Sequence, residues 1–403
     1  MSFGTHAQRW PARGIAALVP LASAGVLLAS AGTPAAATTA HAGMGPTAAA
    51  GSPPVTNPYA PAYHHPYRHG AVPTRAAAAR MAAWARQHPG AAAASPAAAQ
   101  APSPNNLSYG GGVGGIGVTT GRAKVYLVFF GSQWGRKGKN SHGYVTLSGD
   151  HAGEAPYLQR MFKGLGSNGE RWSGVMTQYC QGVATGSQSC PATAPHVRFP
   201  RGGVLAGVWV DKRVKSPVQA TGHRLGREAV DAAAHFGNTS AASNRNAQYV
   251  ILSPHGTDPD QYQEQQFCAW HDWNGDATLS GGPVTSSHGH IAFTNMPYVT
   301  DVGATCGAHF VRSGGGGKLD GVSIVAGHEY AETLTDQNPP GGWVDSSGEE
   351  NADKCAWRAP GSTGGAAVLH LSTGPFAMQG TWANDANSGA GGCRFTHSIV
   401  STR

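Results

Sequence analysis

The chain has 403 residues, six cysteines, a formal net charge of +7 and a sequence pI near 9.2. The charge is unevenly placed: residues 1–104 hold six arginines with neither lysine nor acid, whereas the remaining 299 carry 22 basic and 21 acidic side chains. A nucleic-acid footprint needs basic residues concentrated in the folded part, so that partner class is excluded.

Residues 1–42 read as a signal peptide. Arg9 and Arg13 precede an apolar, small-residue run over 14–32, and A-x-A-like sites offer cleavage after Ala37 or after Ala42. No later stretch reaches eighteen consecutive apolar residues, so the expectation is a secreted, extracellular protein without a membrane span. Residues 43–105 are rich in Ala, Pro, Gly, Thr and Ser. Such sequence has too little apolar surface to offset its ordering entropy and predicts a disordered linker or pro-segment. Within it, 75–88 (RAAAARMAAWARQH) has the composition of a short basic helix, and the His/Tyr patch at 63–67 reads as solvated linker.

The folded part spans 106–403. Near-continuous apolar runs at 124–131 (KVYLVFFG), 204–210 (VLAGVWV), 248–253 (QYVILS) and 291–299 predict strands buried on both faces. Helical patterns fall between them at 155–165, 217–236 and 321–336. This alternation predicts an α/β fold: a single domain whose mixed, largely buried central sheet is flanked by helices. All six cysteines, Cys180, Cys190, Cys268, Cys306, Cys355 and Cys393, lie in this part. An even count in an exported chain predicts three disulfides. Of the fifteen connectivities, nearest-neighbour pairing (180–190, 268–306, 355–393) closes the shortest loops and leaves no thiol as a nucleophile.

The chemistry concentrates in the third helix, VAGHEYAETLTD over 325–336. Asp320 is expected to cap it, and Asn338-Pro339-Pro340 stops it. His328, Glu332 and Asp336 are spaced i, i+4, i+8 and share one face, with Glu329 turned roughly 100° away. This is the geometry of the H-E-x-x-H metal helix, with Glu in place of the second His. Carboxylate is an accepted zinc ligand, and three protein ligands plus water make a catalytic site. Four of the eight glutamates (329, 332, 349, 350) fall within 22 residues, and from His328 to Asp353 there are seven acids without a Lys or Arg. Like charges this dense repel unless a cation is present. The reading assigns His328 and Glu332 as ligands, Glu350 or Asp353 as the third, and Glu329 as general base, with zinc as the metal and calcium as the alternative. Secondary candidates are His271, His255, Asp336 and Asp345; His255 follows a buried strand, where open α/β sheets place ligands.

Over residues 109–395 the chain resembles the Exordium-like (phosphate-induced) secreted proteins. The resemblance rests on Tyr109-Gly110-Gly111-Gly112 before KVYLVFFG and Trp134, QYVILS, Phe267-Cys268 with His271, and Leu319-Asp320-Gly321-Val322 leading to Gly327-His328-Glu329-Tyr330-Ala331-Glu332. It closes with Glu350-Asn351-Ala352-Asp353-Lys354-Cys355 and Gln379, Trp382-Ala383-Asn384 and Cys393. It implies an extracellular protein linked to growth or the cell wall.

Three functions follow as expectations. The first is a secreted zinc-dependent hydrolase, foremost a metallopeptidase acting on an extracellular peptide or cell-wall substrate. The second is a non-enzymatic extracellular or cell-wall-associated binding protein with a structural cation site. The third is a glycosidase with paired carboxylates.

Overall fold

Sheet order is set by where the buried runs sit. In the computed structural model, which describes residues 57–60, 70–88 and 103–400, six strands form the central sheet. They are β1 (Ala71–Pro73), β2 (Lys124–Phe130), β3 (Leu205–Asp211), β4 (Ala247–Leu252), β5 (Phe267–Trp273) and β6 (Ala292–Met296). Their spatial order is β1-β5-β6-β4-β2-β3. β3, β2, β4 and β6 are parallel, while β5 runs antiparallel to both β6 and β1. The sheet is therefore mixed, as expected, and the chain is α/β, but β3 is an edge strand and only partly buried rather than buried on both faces. The described residues fall within one compact unit, Pro53–Arg403.

The main helices are α1 (Arg75–Gln87), α2 (Glu154–Gly164), α3 (Gly222–His235) and α4 (Asp320–Thr335). Because side chains alternate across a strand, β2 and β4 feed two cores. Val125, Leu127, Phe129, Val250 and Leu252 meet Leu158 and Phe162 of α2 and Val325, Tyr330 and Leu334 of α4. On the other face Tyr126, Val128, Phe130, Tyr249 and Ile251 meet Leu225, Ala229, Ala232 and Ala233 of α3. The result is a three-layer arrangement with α4 against one side of the sheet. Two antiparallel pairs close the chain, β7 (Ala367–Leu371) with β8 (Gly374–Met378) and β9 (Thr381–Ala383) with β10 (Gly392–Arg394). Phe376 and Met378 of β8 join the core that buries α4.

The three disulfides pair as expected, Cys180–Cys190, Cys268–Cys306 and Cys355–Cys393, and no described cysteine is free. No described helix is long and apolar enough to cross a membrane.

Other expectations need correction. Asp320 does not cap α4 with its own side chain: it accepts the backbone N–H groups of Val311 and Arg312 and the Arg312 guanidinium, so it ties down the preceding loop. α3 begins at Gly222 rather than at residue 217, since the Thr221 hydroxyl caps it by accepting the Arg224 N–H. β5 lies outside the expected runs; it opens with the apolar Phe267-Cys268-Ala269-Trp270 and is buried from Phe267 to Asp272. Finally, the segment expected to be a disordered linker contributes β1, with Val72 fully buried, while the short helix expected at 75–88 forms as α1, with Ala77 fully buried. Its order comes from tertiary pairing to β5, which local composition does not encode. The expected signal peptide, residues 1–42, and the 63–67 patch lie outside the described residues.

Candidate metal centre

α4 is buried along its whole length, from Asp320 to Thr335. A helix enclosed on all sides is ordinarily apolar throughout, yet this one carries His328, Glu329 and Glu332 at 0, 1 and 0% exposure. HEYAE is therefore not a solvent-facing acidic helix. Burying an ion costs several kcal/mol unless partners satisfy it, so the question is what these groups face.

His328 has one ring nitrogen fixed from behind. Its Nδ1–H donates to Gln379 Oε1 at 3.1 Å, which leaves Nε2 as the lone-pair nitrogen. That atom lies 2.9 Å from Glu332 Oε1 and 3.3 Å from Asp353 Oδ1, yet it makes no hydrogen bond of acceptable geometry. Asp353 begins the short turn Asp353–Cys355. Its backbone N–H donates to Glu332 Oε1 at 2.9 Å and its carboxylate accepts the Glu350 N–H, so the turn docks directly on α4.

His271 comes from β5 and is set in the same way. Its Nε2 donates to the backbone oxygen of Asp336 at 3.1 Å. Nδ1 then faces inward, 3.6 Å from Glu329 Oε2 and 3.6 Å from Glu332 Oε2, without a hydrogen bond. Glu350 Oε2 lies 3.5 Å from the Nε2 side of the ring, and both Glu350 oxygens lack hydrogen bonds, as do both oxygens of Glu329. Metal-ligating histidines have this construction: the outer N–H is held by an oxygen and the inner nitrogen is aimed at the ion. Within this cluster two groups have ligand atoms close enough for a cation, His328 with Glu332 and Asp353, and His271 with Glu329 and Glu332. Glu332 belongs to both, one oxygen toward each imidazole.

The surrounding carboxylates dominate the electrostatics of both imidazoles. Burial opposes a charged His271, but Glu350, Glu329 and Glu332 outweigh it and hold its pKa well above the usual range. His328 is raised in the same way by Glu332 and Asp353. Burial pushes Glu329 up to about 8 and Asp353 up to about 6, against the pull of the neighbouring histidines. Glu332 goes the other way: burial is overcome by the two imidazoles and its pKa falls to about 2. The nearest lysine does not neutralise this cluster, because Lys354 Nζ pairs with Asp345 at 2.5 Å.

The structure thus brings together His328, Glu329, Glu332, Glu350 and Asp353, and adds His271 as a full member. Asp336 sits at the edge: its Oδ1 accepts the Gly342 N–H at 2.6 Å, and its carbonyl holds His271. Asp345 is elsewhere, capping its own turn by accepting the Ser347 and Glu349 N–H groups. His255 pairs with Asp301 at 2.5 Å beside Tyr298 and His151, and belongs to a different surface. Sequence reasoning missed the role of Gln379, which acts only through His328, and that of Gly70, which lies against His271 and Glu332.

No protein-family model, curated protein or solved structure matches the chain.

Proposed function

We propose that the protein is a secreted, metal-dependent hydrolase, foremost a zinc metallopeptidase acting on extracellular peptides. The observation that carries this reading is the paired construction of His328 and His271. Each has its outer N–H fixed by an oxygen and its inner nitrogen turned, unbonded, toward buried carboxylate oxygens. A hydrogen-bonded structural network would place donors opposite those atoms, because an unpartnered buried polar group costs about 1–3 kcal/mol; a cation satisfies the atoms of the ligand group that holds it.

In this reading His328, Glu332 and Asp353 hold the ion. A zinc ion held there would supply Lewis-acid chemistry, polarising a carbonyl oxygen and acidifying a water molecule. The chain's own groups do the rest. Gln379 fixes the His328 tautomer. Glu329, one residue along the helix with neither oxygen hydrogen-bonded, accepts a proton from the attacking water, and His271 at 3.6 Å orients that carboxylate. The three disulfides accord with an extracellular location.

A second reading is favoured by Glu332, whose oxygens face different histidines. Two ions would then share this carboxylate, one in each ligand group, and Glu329 would be a ligand rather than a base.

Elemental mass spectrometry of the purified wild type, His328→Ala and His271→Ala tests both. One zinc per chain, lost in His328→Ala, supports the first; two, with one lost in each variant, supports the second. Calcium, or no metal in any of the three, overturns the hydrolase. That result would favour a non-enzymatic extracellular binding protein.

A further inference from the structure

β1 does not merely complete the sheet. It pairs antiparallel with β5, Ala71 opposite Trp270 and Val72 opposite Ala269, so the residue before Ala71 falls opposite His271. That residue is Gly70. It has φ +56°, in the left-handed region where side chains are strained, and a Cβ built on it would overlap His271 Nδ1 and lie 2.8 Å from Glu332 Oε2. These are two of the orphaned atoms of the metal centre. Only glycine fits there.

The segment is fastened on both sides of this contact. The Pro73 carbonyl accepts the Trp357 Nε1–H at 2.6 Å, and the Thr74 N–H donates to Gln266 O at 2.8 Å. Val72 is fully buried. Thr74 then caps α1, and Arg75 reaches the Ala304 carbonyl and lies over the Phe310 ring. With the segment in place His271, Glu329 and Glu332 are sealed from solvent. Without it β5 would be the edge of the sheet, its backbone N–H and C=O groups open to an added strand and His271 midway along it.

We propose that residues 70–74 occupy the substrate groove of the metal centre: once they leave, β5 takes an extended peptide as an added antiparallel strand, with glycine at the position facing His271 and Glu332 and a small aliphatic residue two positions on. This rests on the hydrolase reading for its chemistry but not for the binding it predicts. The intact chain is accordingly latent. Cleavage in the Ala/Pro-rich stretch of sequence after α1 lets the segment depart, because no disulfide retains it: all six cysteines lie C-terminal to that stretch.

The test starts from the full chain with a recognition sequence for a site-specific protease substituted within residues 89–102. After folding, cutting and removal of the N-terminal piece, a fluorescein-labelled synthetic peptide of residues 70–88 is titrated and followed by anisotropy. Saturable one-to-one binding to the stripped protein, none to the uncut chain, and at least tenfold weaker binding of the Gly70→Val peptide are expected. Equal binding of the Gly70→Val peptide, or equal binding to the uncut chain, overturns the proposal. Should the stripped protein unfold by circular dichroism, the intact Gly70→Val chain decides. Amide exchange over residues 71–74 should rise at least tenfold with β2 unchanged, and unaltered exchange there overturns the proposal. Peptide binding with the expected glycine dependence but no cleavage of any peptide supports the groove and counts against the hydrolase alone.

Discussion

Gln379 accepts the Nδ1–H of His328 at 3.1 Å, and its own amide group is oriented by donating to the carbonyl oxygens of Ala352 at 2.8 Å and Gly380 at 3.3 Å. The two donated bonds decide which end of the amide meets the imidazole, and hence which imidazole nitrogen carries the lone pair. Ala352 directly precedes Asp353, so a single side chain couples the helix ligand to the loop ligand. Losing such an outer partner typically costs 10–100-fold in metal affinity. Gln379→Leu is expected to weaken zinc binding by that factor in competition with a chromophoric chelator. Undiminished affinity in Gln379→Leu would remove His328 from the ligand set.

Glu329 separates the two readings of the centre. As a general base it contributes to proton transfer, an effect of roughly 10²–10⁴ in rate. Glu329→Gln is nearly isosteric, so it should keep the metal and the melting temperature but lose turnover by about that factor, measured on peptide substrate after removal of the N-terminal segment. If Glu329 is a ligand, the same variant loses one ion per chain in elemental analysis. Full turnover in Glu329→Gln sinks both roles.

Much of this site was legible before any coordinates. The i, i+4 spacing of His328 and Glu332 needs only helix geometry, and the excess of acids from Glu329 to Asp353 needs only counting. Buried strands announced themselves through runs such as KVYLVFFG, and nearest-neighbour pairing gave all three disulfides because each one closes a local loop. What stayed hidden depends on tertiary contact. β5 reads FCAWHDW, with an imidazole where a core strand is ordinarily apolar, because His271 faces the carboxylates of the site. The strand Ala71–Pro73 is three residues long in Ala/Pro-rich surroundings, and nothing local distinguishes it from linker. Its signal is one glycine whose meaning depends on His271, some two hundred residues later.

The Cys355–Cys393 disulfide anchors the turn that carries Asp353, since Cys355 ends the turn and Cys393 lies on β10. It closes a separation of 38 residues and Cys180–Cys190 one of 10. Chain-entropy arguments give about 4 and roughly 3 kcal/mol respectively. The Cys355→Ala/Cys393→Ala variant should therefore lose somewhat more stability in urea unfolding than Cys180→Ala/Cys190→Ala. Only the first should also lose metal affinity, by tenfold or more, because only it frees Asp353. Equal metal affinities in the two variants would show that Asp353 is not a ligand.

Glu154, in the first turn of α2, provides a pH-dependent test of the scaffold away from the metal centre. It is buried, and its Oε1 accepts the Thr300 N–H at 3.0 Å and the Thr300 hydroxyl at 2.8 Å. Its Oε2 has no partner. Burial pushes its pKa up from 4.5 to about 8; the Thr300 bonds partly counter this, and Asp150 and Asp301 add to the rise. A raised acid binds its proton more tightly in the native state than in the unfolded chain. Its contribution to stability is therefore fully present below the unfolded value of about 4.5 and is lost progressively until pH passes about 8. Each unit of difference corresponds to about 1.4 kcal/mol, so the full effect is a few kcal/mol. Glu154→Gln keeps the acceptor for Thr300 and cannot ionise. The variant should match the wild type near pH 4 and gain on it steadily up to about pH 8, by roughly 4–5 kcal/mol in urea unfolding at matched salt. A constant difference between the two proteins across that range would mean that the Glu154 carboxyl ionises in the native state as it does in the unfolded chain.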